Sequence, residues 1–179
     1  MRHTLRLHPD SLCTAATQIE VDVARPRPDG LVLSYVVSGR ISDLRLPPIV
    51  TAARADELWR HTCFEAFVRP SAEPGYFEFN FSPSTQWAAY GFDGYRSGMR
   101  VATELGALRI DLRSSVESYT LRAAFEFYKL AQPWRLGLAA VLEETNGQKS
   151  YWALAHPPGR PDFHHRSSFA CALPTAEGS

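Results

Sequence analysis

Polar and apolar residues alternate with a period of two in several segments of this chain, and this pattern constrains the fold more than any other feature. Successive side chains of a β-strand point to opposite faces, so this alternation is typical of a strand with one exposed and one buried face. The alternating segments are 18–23, 76–81 and 108–113. Segment 31–37 is a more continuous apolar run, which predicts a strand covered on both faces. We therefore expect a protein built from strands.

Turn signals divide the chain into many short strands. Further strands are predicted at 120–126, 135–142 and 151–155, and segments rich in Pro, Gly, Asn or Asp stand at 26–30, 70–75, 92–94 and 146–147. The strongest signal is Asn146-Gly147, because both residues tolerate the positive φ angles of a tight hairpin turn. With no long amphipathic helix in the pattern, these features predict an all-β fold, an antiparallel β-sandwich. A closed barrel is the alternative.

Composition bounds the domain count and excludes some classes of partner. The length of 179 residues predicts one domain, over residues 1–173, and 45% of the residues are hydrophobic, enough for a sizeable core. The last residues, 174–179, are expected to form a disordered tail. Nineteen basic residues balance nineteen acidic ones without a basic cluster, so no nucleic-acid partner is expected. No apolar run approaches the ~20 residues that span a bilayer, and none follows the basic start of the chain. We therefore expect a cytoplasmic protein with no membrane partner.

Two predicted strands place carboxyl groups where apolar residues would be expected. If Phe77, Phe79 and Phe81 face the core, Glu78 and Asn80 must share the opposite face. On the preceding strand Cys63, Glu65 and Phe67 share a face, so Glu65 would lie beside Glu78 or Asn80 if the two strands pair as a hairpin. A buried carboxylate without a partner is costly, and its presence needs an explanation.

A ligand cleft would explain these polar side chains. Carboxylates and an amide can bind hydroxyl groups, while Trp59, Trp87 and Tyr90 offer flat apolar surfaces, and sugars present both kinds of surface. The alternative is that the aromatic residues belong to the core and that Glu65 binds backbone groups or pairs with Arg60 or Arg69.

A second concentration of chemically active residues lies near the C-terminus. His156, His164 and His165 stand in a proline-rich stretch with Arg160 and Arg166. The histidines could ligate a metal or haem iron or bind an anionic ligand, or they could cap turns together with Asp162. The sequence shows no convergent spacing for a metal site, so none is predicted.

Motifs for covalent catalysis and phosphate binding are missing from the sequence. Ser82-Pro83-Ser84 does not match Gly-x-Ser-x-Gly, and no glycine-rich phosphate loop occurs. Cys13, Cys63 and Cys171 are too widely spaced to indicate a disulfide framework, and Cys63 is expected to be a small buried side chain. The sequence therefore favours a non-catalytic binding module, although two carboxylates and several imidazoles leave an enzyme open.

The motif Leu58-Trp-Arg-His-Thr-Cys-Phe-Glu-Ala-Phe-Val68 resembles the DOMON-like superfamily, which includes the family 9 carbohydrate-binding modules. Trp59, Glu65 and Phe67 match the Trp and the Glu-x-Phe of that pattern, whereas Thr62 or Cys63 replaces its usual acidic residue. The motifs Phe77-Glu-Phe-Asn-Phe-Ser-Pro83, Trp87-Ala-Ala-Tyr90, Tyr151-Trp-Ala-Leu-Ala-His-Pro157 and Pro161-Asp-Phe-His-His165 indicate a bacterial branch of it. The resemblance covers residues 5–173.

The resemblance implies a β-sandwich that binds a carbohydrate or a sugar-like small molecule in a cleft. Sugar-binding relatives hold a saccharide between two Trp side chains. The resemblance therefore implies Trp59 as one of them, with Trp87 or Trp152 as the candidate for the other. Together, the residue pattern and the resemblance predict nine ligand-binding residues: Trp59, Glu65, Glu78, Asn80, Trp87, Tyr90, Trp152, His156 and His164. Haem-binding relatives instead use Met with His or Lys, which would make Met99 with His156 or His164 the axial ligands of an electron-transfer domain. A module that binds another protein is the third possibility. Apart from haem, no cofactor is expected.

Overall fold

Residues 1–70, 74–128, 134–173 and 176 are described by the computed structural model of the protein. Of the tail predicted to be disordered, residues 174–179, only residue 176 lies within the described part.

Twelve β-strands account for most of the described chain. In order β1 to β12 they are Arg2–Leu7, Ala16–Arg27, Gly30–Gly39, Cys63–Pro70, Tyr76–Phe81, Trp87–Phe92, Arg100–Val101, Leu105–Ser114, Ser118–Phe127, Trp134–Glu143, Lys149–Ala153 and Cys171–Ala172. Short 3₁₀ turns occur at Ile41–Asp43, Leu58–Arg60 and Arg166–Ser168. Among the described residues no helix is long and apolar enough to cross a membrane.

The strands form one curled antiparallel sheet. Its order is β7-β6-β5-β4-β10-β11-β1-β2-β3-β9-β8, with β12 paired to β10. The two halves of the sheet face each other, and the rings of Phe79 and Phe125 meet across the interior with centroids 4.8 Å apart. The Tyr35 hydroxyl in β3 donates to the backbone carbonyl of Glu65 in β4 at 2.8 Å. The all-β class is confirmed, and the curled sheet agrees with a β-sandwich or half-barrel.

The main core lies between the two halves of the sheet. On β5 the side chains of Phe77, Phe79 and Phe81 all enter it, as the alternation predicts. Cys63 is also completely buried, as predicted.

A second apolar cluster covers the other face of β4, β5, β6, β10 and β11, which we call the outer face. Phe67, Tyr76 and Tyr90 belong to it, and Phe163 and Phe169 of the C-terminal segment pack onto it. The prediction of one exposed face for Tyr76–Phe81 is therefore wrong, since all six residues are buried. A distant part of the chain supplies the cover, which a local pattern cannot show.

The strand predicted to be covered on both faces has one partly open face. In β3 the side chains of Leu33 and Tyr35 are buried, whereas Val32, Ser34 and Val36 are half-buried. The apolar residues on the open face reflect the preference of β-branched side chains for strands rather than a second covering layer.

The predicted hairpin at Asn146-Gly147 is confirmed, because β10 and β11 pair from Ala139 opposite Ala153 to Glu143 opposite Lys149. Only Gly147 takes a positive φ, of 87°. Asn146 instead accepts a hydrogen bond at its side-chain oxygen from the Gln148 N–H at 2.8 Å. The turn is thus longer than a two-residue loop, and the Asn side chain stabilises it.

Candidate functional site

A cavity of about 590 Å³ opens on the outer face of the sheet, within the range of about 300–1,000 Å³ typical of small-molecule sites. Strands β4, β5, β6, β10 and β11 each contribute at least one side chain to its lining. The turn at Leu58–Arg60, the connection from β6 to β7 and the C-terminal segment also contribute. We call this space the Glu65 cavity. It exists because loops cover the outer face incompletely.

Two glutamates line this cavity side by side. Antiparallel pairing sets Glu65 opposite Asn80 and Phe67 opposite Glu78, so of the two neighbours predicted for Glu65 the direct partner is Asn80. Glu65 and Glu78 are then diagonal neighbours on the outer face, a relation in which residues typically lie about 7–8 Å apart. Both line the cavity and both are buried.

The Glu65 carboxyl group faces the cavity and has no hydrogen-bond partner among the described residues. The residue is 4% exposed, and no hydrogen bond or ion pair of its side chain occurs within the described part of the chain. Arg60 and Arg69, the cations considered from the sequence, lie elsewhere: Arg60 pairs with Glu57 at 2.7 Å, and the Arg69 guanidinium lies over the Phe169 ring. Hydrogen bonding inside the described fold therefore does not explain Glu65.

Glu78 belongs to a hydrogen-bonded chain of side chains. Its Oε1 accepts from the Asn80 amide at 2.7 Å, and its Oε2 lies 3.6 Å from the Nε2 of His164. The Nδ1 of His164 lies 2.7 Å from the Tyr76 hydroxyl, which also accepts from the backbone N–H of Arg96 at 3.2 Å. We assign the tautomer in which Tyr76 donates to Nδ1 and Nε2–H faces Glu78. Asn80 thus positions a lining carboxylate.

Burial shifts the pKa of Glu65, Glu78 and His164 in the direction that favours the neutral form of each group. Burial, followed by the nearby Glu78, raises the pKa of Glu65 well above its ordinary value. Burial also raises the pKa of Glu78, although the Asn80 amide and Arg96 oppose the rise. The pKa of His164 falls to about 4 through burial and the charge of Arg96. Near neutral pH the cavity floor therefore presents a neutral imidazole and a carboxyl pair that resists full ionisation.

Two other buried glutamates of this protein, away from the cavity, have hydrogen-bond partners for their carboxyl groups. Glu143 binds Arg45 at 3.0 Å and His61 at 2.7 Å. Glu144 accepts from the backbone N–H groups of Thr14 at 2.6 Å and Ala15 at 3.1 Å. This fold therefore satisfies buried carboxylates where their role is structural, and Glu65 differs from both.

Aromatic side chains form the walls and rim of the Glu65 cavity. Trp59 is 50% exposed in the turn above β4, and the Arg60 guanidinium stacks on its ring. Phe92, Tyr151 and Phe163 also line the cavity, from β6, β11 and the C-terminal segment. A flat exposed indole beside a buried polar floor suits a ligand with one apolar face and one polar edge.

Strained backbone occurs at two places on the cavity lining. Glu57 has φ 61° and Arg96 has φ 51°, although neither is glycine. Left-handed backbone at such residues costs of order 1–3 kcal/mol and is concentrated at functional sites. At Glu57 this conformation begins the turn that carries Trp59. The strain thus accompanies the placement of a rim side chain.

The cations and the exposed carboxylates on the lining have their own positions. Arg96 pairs with Asp162 at 2.9 Å, and Lys149 is exposed. Asp56 accepts a hydrogen bond from the Tyr90 hydroxyl at 2.6 Å and pairs with Arg54 at 2.7 Å. No buried cation faces Glu65 in the described part of the lining.

The predicted ligand-binding residues divide into two groups. The structure brings Trp59, Glu65, Glu78, Tyr90 and His164 to the lining of one cavity. Asn80 lies just behind them and touches the site through Glu78.

Three predicted residues lie away from the cavity. Trp87 packs against the main core, and Trp152 is buried within it, with its indole N–H donating to Ser150 at 3.0 Å. His156 donates from Nε2 to the backbone carbonyl of Arg6 at 2.8 Å, and its ring packs against His8. These positions remove the predicted second Trp of a clamp.

Haem does not fit the side chains at this site. Met99 and His164 both line the cavity, but Met99 is 66% exposed, and His156 lies away from both. The ring nitrogens of His164 already face Tyr76 and Glu78, so neither is free for iron.

Several lining residues were not predicted from the sequence, among them Phe92, Arg96, Tyr151 and Phe163. Phe92 could have been found, because it lies two residues after Tyr90 and shares its strand face. Phe163 and Tyr151 belong to stretches noted for other residues, and only the fold shows which side chains of those stretches face the cavity.

Comparisons with known proteins give one structural likeness. No family model and no curated protein match the chain. The fold is similar to that of a candidate carbohydrate-binding protein from Bacteroides uniformis, with a TM-score of 0.66 and 13% sequence identity. The similarity covers 93% of this chain and 83% of the other. At this identity the likeness shows the fold alone.

Proposed function

We propose that the protein is a carbohydrate-binding module and that the Glu65 cavity receives a sugar or a sugar-like small molecule. The observation that carries the proposal is the buried Glu65 carboxyl group, which has no hydrogen-bond partner among the described residues and lines a cavity with an exposed Trp at its rim. A buried polar group in that state costs free energy, and a ligand hydroxyl would supply the missing hydrogen bond.

The remaining side chains suit a sugar ring in the same way. The Trp59 indole can pack against the apolar face of the ring, a contact worth about 1 kcal/mol by analogy with other aromatic packing. Glu78 accepts hydrogen bonds, and a neutral Glu65 carboxyl group can both donate and accept. The Asn80 amide holds Glu78 in place, and the His164 ring lies 3.6 Å from the other carboxyl oxygen.

The structural likeness supports the same class of ligand, since the similar protein from Bacteroides uniformis is a candidate carbohydrate-binding protein. The motif at residues 58–68 supports it independently through the family 9 carbohydrate-binding modules. Membership of the DOMON-like superfamily remains part of the proposal.

Calorimetric titration with a panel of monosaccharides and disaccharides tests this function. We expect at least one sugar to bind, and Trp59→Ala to weaken it by about tenfold, which corresponds to a loss of about 1.4 kcal/mol. The fold should persist because Trp59 is half exposed. Tyr128→Ala is the matched control, since this exposed aromatic residue lies outside the cavity lining.

The outcomes separate clearly. Binding that survives Trp59→Ala at full strength would remove the indole from the site. The absence of binding across the whole panel, with wild-type protein shown to be folded by its thermal transition, would refute the carbohydrate proposal.

A further inference from the structure

We propose that the Glu65 cavity selects a sugar that carries a protonated amine, an amino sugar in its ammonium form, over the corresponding neutral sugar. This inference rests on the proposed function and names the chemical class of its ligand. It starts from the geometry of Glu65 and Glu78, two buried acidic side chains on adjacent strands that line one cavity.

The described lining provides no buried cation to match these two groups. The guanidinium of Arg96 is about half exposed and already pairs with Asp162. Lys149 is exposed, whereas Glu65 is 4% exposed. Glu143, by contrast, has Arg45 and His61 as partners. A ligand with its own cationic group would partner the Glu65 carboxyl group, as Arg45 and His61 partner that of Glu143.

Aromatic walls strengthen the preference for a cation. Tyr90, Phe92, Tyr151 and Phe163 line the same cavity as the two glutamates. The negative face of an aromatic ring attracts a cation, most strongly where water is excluded. Aromatic rings beside an unpartnered carboxyl group therefore suit an ammonium group better than a hydroxyl.

Binding of an ammonium group should also favour the release of protons from the two carboxyl groups. The charges of Glu78 and Arg96 act on Glu65, and the charge of Glu65 in turn raises the pKa of Cys63 and of Tyr35. The other titratable groups that share the cavity are Asp56, Glu57, Tyr90, Lys149, Tyr151 and His164.

The direction of the pH effect follows from these groups. In the free protein the pKa values of Glu65 and Glu78 are raised, so an arriving cation favours their ionised forms and displaces a proton. Affinity for the amine should therefore rise between about pH 5 and about pH 7, where a sugar amine remains protonated. Affinity for a neutral sugar should not rise.

Calorimetry with glucosamine, glucose and N-acetylglucosamine tests the inference. At about pH 7 we expect glucosamine to bind about tenfold more tightly than glucose, since hydrogen bonds to charged groups are the stronger kind. N-acetylglucosamine keeps the nitrogen but loses the charge, so we expect it to bind no better than glucose. Measurement in two buffers of different ionisation enthalpy should show proton release with glucosamine only.

Glu65→Gln separates charge from shape. The variant keeps the size of the side chain but leaves only Glu78 to attract the ammonium group, so its preference for glucosamine over glucose should be much weaker than that of the wild type. Glu117→Gln is the control: Glu117 is exposed in the turn between β8 and β9, outside the cavity lining, so this variant should keep the preference. Glu78→Gln provides a second variant should Glu65→Gln lose its thermal transition.

Each outcome decides between the two proposals. Equal affinities for glucose and glucosamine, or a preference that persists undiminished in both Gln variants, would overturn the amine inference while carbohydrate binding stands. A protein that binds none of these sugars, nor any in the wider panel, would overturn both.

Discussion

Replacing Glu65 by leucine is expected to raise the free energy of unfolding by about 1–3 kcal/mol near neutral pH, while ligand binding is lost. The reason is that the wild-type carboxyl group is largely removed from water beside the cavity and has no hydrogen-bond partner in the described fold. Leucine fills the same space between neighbouring strands without a polar group to satisfy. Urea unfolding of the two proteins measures the difference.

The stability gain from Glu65→Leu should depend on pH in a defined direction. The pKa of Glu65 is higher in the folded protein than in the unfolded chain, because burial opposes ionisation. At about pH 4 and below both states keep the proton, and this contribution vanishes. As the pH rises, the unfolded chain releases its proton first, so wild-type stability falls relative to the variant. The gain should therefore be larger near pH 7 than near pH 4.

Glu144→Leu is the matched control for this prediction. Glu144 is equally buried, but it accepts hydrogen bonds from the backbone N–H groups of Thr14 and Ala15. Its removal leaves those donors unsatisfied and should lower the free energy of unfolding by about 1–3 kcal/mol. Comparable destabilisation by both substitutions would mean that the fold satisfies Glu65, and the explanation of this residue through a ligand would fail.

Phe79→Ala is expected to cost about 3–5 kcal/mol of the free energy of unfolding, the largest loss predicted for this chain. Phe79 is completely buried between the two halves of the sheet and packs against Phe125 and Phe127, with ring centroids 4.8 and 5.3 Å away. Its truncation leaves a cavity in the main core that the curled sheet cannot close. Thermal and denaturant unfolding should both show the loss.

Tyr128→Ala supplies the comparison for Phe79→Ala, because this aromatic residue is exposed and should cost less than about 1 kcal/mol. The contrast also tests whether Phe79 faces the main core of the sheet, opposite to its neighbours Glu78 and Asn80, which face the cavity side. A loss below about 1 kcal/mol for Phe79→Ala would contradict the packing of the two halves against each other.

The faces of β4 and β5 could be predicted from the sequence because strand geometry leaves little freedom. A period of two puts Phe79 on one face and Glu78 on the other, and a tight connection between the strands makes them pair. The placement of Glu65 beside Glu78 or Asn80 followed from these two facts, and the register of the structure selects Asn80 as its direct partner. This part of the candidate site needed no knowledge of the distant chain.

The cover over the outer face could not be predicted in the same way. Phe163 and Phe169 come from a segment far from β4 and β5 in sequence, and they lack regular periodicity. Their packing turns a strand that the pattern predicts to be half exposed into one buried on both faces. The Glu65 cavity is a gap in that cover, so its existence depends on the same long-range contacts.

Strand parity explains the errors about the tryptophans. Trp87 and Tyr90 are three residues apart in β6, so they face opposite sides of the sheet, and Tyr90 lines the cavity whereas Trp87 does not. The same rule separates Trp152, which enters the main core, from Tyr151, which lines the cavity. The rule would have excluded Trp87 had residues 86–95 been assigned to a strand. Excluding Trp152 required the register of β10 and β11.

Carbon-13 labelling of the glutamate side chains would locate the ligand by NMR. In the free protein we expect the Glu65 carboxyl resonance to titrate well above the usual glutamate range, because of its burial. A sugar that binds should shift the resonances of Glu65 and Glu78 and leave that of Glu144 unchanged. A Glu65 resonance that titrates like that of an exposed glutamate, or bound sugar that shifts neither Glu65 nor Glu78, would contradict the assignment of this cavity as the binding site.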